Sequence, residues 1–90
     1  MNTVLVYSED GCPWCTDIKQ QLAKNNILFL ERDVQKYKKE WELITTLTEN
    51  EYVPALCLLN HDTNEKTYLV PDRDFDDISE AIIKVKKILL

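Results

Sequence analysis

Two cysteines separated by two residues, Cys12-Pro13-Trp14-Cys15, stand where a β-rich run gives way to a helical pattern. That junction constrains the chain more than any other feature. Thr3-Val4-Leu5-Val6-Tyr7 reads as a strand, and Ser8-Glu9-Asp10-Gly11 supplies the turn chemistry that closes it. From Pro13 onward, Cys15, Ile18 and Leu22 fall at helical spacing, and the pattern runs out at Asn25-Asn26, where asparagine suits a left-handed cap. Proline costs nothing in a first helical turn, because the N–H it lacks has no partner inside the helix. Cys12 is thereby placed at or beside the N-cap.

The remaining chain extends the pattern. Residues 27–34 read as a second strand and residues 35–49 as a helix, with Tyr37, Trp41, Ile44 and Thr48 on one stripe and Leu43 and Leu47 beside it. Pro54 opens Ala55-Leu56-Cys57-Leu58-Leu59, an apolar run of strand length that suits burial on both faces. A turn at Asn60-His61-Asp62-Thr63-Asn64 leads to a fourth strand over residues 65–70, most simply as a hairpin. The last helix is expected to start between Asp74 and Asp76, burying Ile78, Ile82, Val85 and Leu89. Acids early and Lys84, Lys86 and Lys87 late complement its dipole. The order is β-α-β-α-β-β-α, an α/β fold. The first two strands should be parallel through a right-handed crossover, within a mixed four-stranded sheet flanked by helices.

Ninety residues make one domain, 1–90. A formal charge of −5 argues against nucleic acid as a partner, because phosphate binding needs a concentrated basic surface. Three cysteines exclude a fully paired secreted scaffold. No apolar run approaches the ~18 residues of a membrane span, and the N-terminus lacks the basic region of a signal peptide. A monomer in the reducing cytoplasm is the expected setting.

A CxxC pair opening a helix after the first strand of a βαβ unit is the thioredoxin-like redox signature. Disulfide exchange needs a thiolate, and a free thiol with pKa about 8.5 is mostly protonated at neutral pH. The unpaired N–H groups and positive dipole end of the helix would stabilise negative charge on Cys12, the candidate nucleophile. Cys15, one turn on and facing inward, suits the resolving role. Pro13 shapes the turn between them, and Trp14 offers a flat apolar surface beside the reactive sulfur.

Val6-Tyr7-Ser8 ahead of Cys12-Pro13-Trp14-Cys15, then Tyr52-Val53-Pro54 before a buried strand, then Asp76-Asp77-Ile78 at the last helix, follow one another as they do in glutaredoxins. The chain resembles that family over nearly its whole length, with Trp14 replacing the tyrosine of the usual Cys-Pro-Tyr-Cys. The resemblance implies a dithiol oxidoreductase that reduces protein disulfides or glutathione mixed disulfides, with ribonucleotide reductase a frequent client. It implies no bound prosthetic group, with glutathione as co-substrate. Pro54 would be the family's cis-proline, with the Val53 backbone beside Tyr52 pairing with glutathione. Asp76 and the backbone at Phe75 would hold the γ-glutamyl amino group, and Lys38 or Lys39 would meet the glycine carboxylate.

Two departures bear on that site. Many glutaredoxins carry a lysine three residues before the nucleophile, where this chain has Glu9, followed by Asp10. Acids there oppose thiolate formation, so a less acidified Cys12 is expected. Arg73-Asp74 replaces the family's Gly-Gly, and these side chains are expected to crowd or recharge the glutathione groove. Electrons from thioredoxin reductase rather than glutathione are therefore a second reading. A third, of another class, is an iron–sulfur cluster carrier at a dimer interface, against which Pro13 counts. Cys57 reads as a small core residue and His61 as a solvated turn residue, leaving a zinc site built on Cys12 and Cys15 without convincing partners. Tyr37 and Trp41 read as packing, Lys36, Lys38 and Lys39 equally as a solvated face, and Asp72, Asp74, Asp76 and Asp77 as helix-start acids rather than a metal cluster.

Overall fold

A computed structural model describes residues 2–90. Strand β1, Asn2–Ser8, alternates its side chains between two apolar layers, and each layer recruits the helices whose faces match it. The elements that follow are α1 (Pro13–Lys24), β2 (Leu30–Asp33), α2 (Lys38–Thr48), β3 (Ala55–Asn60), β4 (Lys66–Leu69) and α3 (Ile78–Leu89). The sheet order is β2-β1-β3-β4. β1 and β2 are parallel, whereas β3 runs antiparallel to both β1 and β4. The mixed four-stranded sheet expected from the sequence is thus observed.

On one face, Val4, Val6, Leu56, Leu58 and Leu69 pack against Ile18 and Leu22 of α1 and Ile78, Ile82 and Val85 of α3. On the other, Tyr7, Ala55, Cys57 and Val70 pack against Ile44 of α2, with Trp41 stacked on Tyr7 at 5.9 Å between ring centroids. The Tyr7 hydroxyl donates to Glu40 at 2.8 Å, and burial pushes its pKa well above the ordinary tyrosine value. β3, central in the sheet, is buried on both faces, as its continuous apolar run requires.

Three boundaries differ from the sequence pattern by more than one residue, each through a local hydrogen bond. The second strand begins at Leu30 rather than 27, because the Ile27 N–H still donates to Leu22 at the end of α1 while Asn26 turns left-handed (φ 59). α2 begins at Lys38 rather than 35, because the Asp33 carboxylate accepts the Gln35 and Lys36 N–H groups and holds a turn there. α3 begins at Ile78 rather than between 74 and 76, because Asp77 is the N-cap, accepting the Glu80 N–H at 2.8 Å. Glu80 reaches back to the Asp76 N–H at 3.0 Å, a near relative of the capping box. Asp77→Ala should therefore lower the unfolding free energy by about 1 kcal/mol, read as a lower urea midpoint at unchanged m-value.

At one end of the sheet lie the C-terminal ends of β1, β2 and β4 and the N-terminal end of β3. Four connections therefore meet there. Together with the first turns of α1 and α2, they carry the cysteine pair and the residues assigned to substrate.

Candidate functional site

The first connection leaves β1 through Gly11, whose φ of 78° lies in the left-handed region that glycine enters without penalty. Cys12 follows in an extended conformation as the N-cap of α1, with Pro13 in the first turn. Its sulfur does what a serine oxygen does at this position: it accepts the Cys15 N–H, at 3.0 Å. The two cysteines are joined as a disulfide with their Cα atoms 5.2 Å apart. Their exposure differs. Cys12 is half-buried, whereas Cys15 is 1% exposed against the core.

The second connection, residues 49–54, lays its backbone against that sulfur. The Val53-Pro54 peptide bond is cis, and the Val53 carbonyl oxygen lies 4.0 Å from Cys12 Sγ. The sequence reading missed what fixes this loop, which is Asn50. Its side-chain oxygen accepts the Tyr52 N–H (2.9 Å) and its amide nitrogen donates to the Pro71 carbonyl (2.7 Å), tying the loop to the end of β4. An asparagine two residues before the tyrosine is ordinary Asx-turn chemistry, so the signal was present. Pro54 is buried, while Tyr52 and Trp14 are exposed on this surface.

The third connection, residues 70–77, is closed by Arg73 and Asp74, the two residues that depart from the family pattern. The Asp74 carboxylate accepts the Val70 N–H at 2.8 Å and Arg73 Nε–H at 2.9 Å, and a second guanidinium N–H of Arg73 donates to the Tyr68 carbonyl. Lys84 donates to the Asp74 carbonyl from α3. The pair is spent on closing the loop. Phe75 is buried with its carbonyl already accepting the Asp72 N–H, whereas Asp76 keeps its carboxylate exposed. In the fourth connection, Lys38 and Lys39 are exposed at the start of α2 on the β2 side.

Comparison with known proteins identifies this arrangement. The family model described as Glutaredoxin matches residues 4–60, which span β1 to β3 and so include both cysteines and the cis-proline. The chain belongs to the glutaredoxin family. It is 34% identical over 53 residues to a glutaredoxin-like 8.6 kDa protein in a rubredoxin operon of Clostridium pasteurianum, covering 59% of this chain and 71% of that one. Among solved structures, the thioredoxin-like protein BC3987 superposes with a TM-score of 0.64 at 20% identity, over 98% of this chain and 100% of that one. The fold is thioredoxin-like.

Within this glutaredoxin the third cysteine is removed from the Cys12–Cys15 pair. Cys57 lies buried in mid-strand, opposite Leu5 and Tyr68, and burial pushes its thiol pKa up, which disfavours the thiolate. Among the described residues no three His, Cys, Asp or Glu side chains gather into a metal-binding group, and no helix is long and apolar enough to cross a membrane. His61 sits exposed in the far hairpin, paired with the Thr3 hydroxyl.

Glu9 and Asp10 are exposed just ahead of Cys12. In the reduced protein their charge opposes the helix terminus, so the Cys12 thiolate should form at a pH closer to that of free cysteine than in strongly acidified thiols. Ultraviolet thiolate absorbance followed against pH checks this. Glu9→Lys should move the midpoint down, and full ionisation of the wild type by about pH 5 would contradict the account.

Proposed function

We propose that this glutaredoxin is a dithiol reductase of protein disulfides and of glutathione mixed disulfides. Cys12 is the nucleophile and Cys15 the resolving thiol. The Cys12 thiolate attacks one sulfur of the substrate disulfide, forming a mixed disulfide, and the departing sulfur takes a proton. Cys15 then loses its proton and attacks Cys12, forming the intramolecular disulfide and releasing the second substrate thiol. Two electrons and two protons pass to the substrate.

One observation carries the reading. An accessible sulfur accepts a backbone N–H at the helix start, while its partner is buried behind it and a cis-proline backbone faces it. The N–H that meets Cys12 Sγ stabilises negative charge when the pair is reduced. Val53 offers a backbone edge to an extended thiol peptide, beside Tyr52 and the Trp14 surface. For glutathione we assign the Val53 backbone to its cysteine, Asp76 with the Phe75 backbone to its amino group, and Lys38 or Lys39 to its glycine carboxylate. The protein works as one domain, a cytoplasmic monomer without a bound prosthetic group, and ribonucleotide reductase is a candidate acceptor.

The oxidised pair is restored by two glutathione molecules, which leave as glutathione disulfide. The acidic residues Glu9, Asp10, Glu49 and Glu51, exposed on the connections around Cys12, favour a second reading of the electron source, a flavoprotein thioredoxin reductase. Turnover of a disulfide substrate is compared with glutathione plus its reductase and with thioredoxin reductase. Glutathione is expected to sustain turnover. Activity with thioredoxin reductase alone would transfer the assignment.

A further inference from the structure

Beside the Val53 backbone an open groove of about 520 Å³ is lined by Thr45, Thr46, Glu49, Asn50, Glu51 and Tyr52. Its chemistry is one-sided. The Thr45 and Thr46 hydroxyls both donate inward to the Glu42 carbonyl, leaving only oxygen lone pairs for the groove. The Asn50 amide nitrogen is committed to the Pro71 carbonyl and its oxygen to the Tyr52 N–H. Glu49 and Glu51 add two exposed carboxylates, and Tyr52, 62% exposed, adds an aromatic ring. Among the described residues no Lys or Arg side chain lines it. Two carboxylates, two threonine oxygens and one aromatic ring, with no cationic side chain among them, are complementary to a cation carrying several N–H groups.

We infer that this groove is a specificity subsite that receives a lysine or arginine side chain flanking the disulfide of a protein substrate. Its position makes the assignment specific. Tyr52 directly precedes Val53, whose carbonyl lies 4.0 Å from Cys12 Sγ, so a peptide held along Val53 with its sulfur at Cys12 passes the mouth of the groove. An ammonium or guanidinium there meets the Glu49 and Glu51 carboxylates and the Tyr52 ring, whereas an acidic neighbour meets only repulsion. The inference rests on the dithiol reading above and adds the class of substrate it prefers.

The test uses the reduced full-length protein and four synthetic peptides with the same internal disulfide, flanked by arginine, lysine, glutamine or glutamate. Single-turnover reduction is measured at low and high salt. The arginine and lysine peptides should react about tenfold faster than the glutamate peptide at low salt, with glutamine between, and the spread should narrow as salt screens the carboxylates. Arginine ahead of lysine gives the Tyr52 ring the larger share. Equality of the two gives it to the carboxylates, and both results uphold the subsite.

The Glu49→Gln, Glu51→Gln double variant should lose most of the discrimination, and Glu51→Gln alone part of it. Glu65→Gln, the same change of net charge as Glu51→Gln alone but in the far hairpin, should keep it. Equal rates for the basic and acidic peptides, or discrimination untouched by the double variant, would overturn the inference while leaving dithiol reduction standing. Failure to reduce any of the four peptides would overturn both.

Discussion

Cys12→Ser is expected to abolish disulfide exchange with every substrate, by on the order of 10³-fold or more in initial rate. A serine hydroxyl is not ionised at working pH and does not form a mixed disulfide. The substitution is informative because it spares the fold. Cys12 is the N-cap of α1, its sulfur accepting the Cys15 N–H, and serine is among the best residues for that task. The variant should therefore melt close to the reduced wild-type protein. A loss of activity accompanied by an unchanged melt assigns the effect to chemistry, and retention of wild-type exchange would refute the mechanism outright.

Cys15→Ser should divide the activity instead of removing it. The nucleophile remains, so mixed disulfides form, but nothing inside the protein resolves them. Reduction of an internal protein disulfide by the dithiol route should fall by about 10²-fold or more, with a substrate–protein adduct accumulating and visible by mass under non-reducing conditions. Glutathione-only turnover should survive, because a second glutathione can attack the mixed disulfide from solvent. Cys15 is 1% exposed, so a serine there also costs stability, of the order of 1–3 kcal/mol for a buried hydroxyl without a new partner. Rates are therefore compared at a temperature where both proteins are folded. Wild-type dithiol turnover with no trapped adduct would remove Cys15 from the resolving role.

Much of this was legible in the chain because the relevant signals are local. The alternation in β1, the proline after Cys12 and the apolar run of β3 each report a nearest-neighbour preference, and each appears where the pattern placed it. The cis bond at Pro54, implied by likeness to glutaredoxins, is present. The boundaries that moved did so through side chains competing with the backbone. Asp33 held a turn open, Asn26 carried the chain left-handed off α1, and Asp77 took the cap that Asp74 left when its carboxylate went to Val70. A periodicity reading counts apolar positions and does not register which carboxylate has already been claimed.

Arg73 and Asp74 show the same limit at the site. Nothing in the local pattern announces that they pair with each other and tie the loop to the Tyr68 carbonyl. Asn50 shows the converse. An unremarked polar residue proves to orient Tyr52 and Val53, because its partner Pro71 lies 21 positions along the chain, on another connection.

The sequence by itself determined the element order, the placement of Cys12 at a helix start and the separation of two chemical cysteines from one core cysteine. Those follow from interactions a few residues apart, where the backbone's own geometry fixes who meets whom. Only the tertiary structure decided that Val53 faces Cys12, that Arg73 and Asp74 cancel, and that Thr45, Glu51 and Tyr52 share one acceptor-lined groove. Those pairings join different connections at one end of the sheet, and strand register rather than local propensity sets which loops meet there.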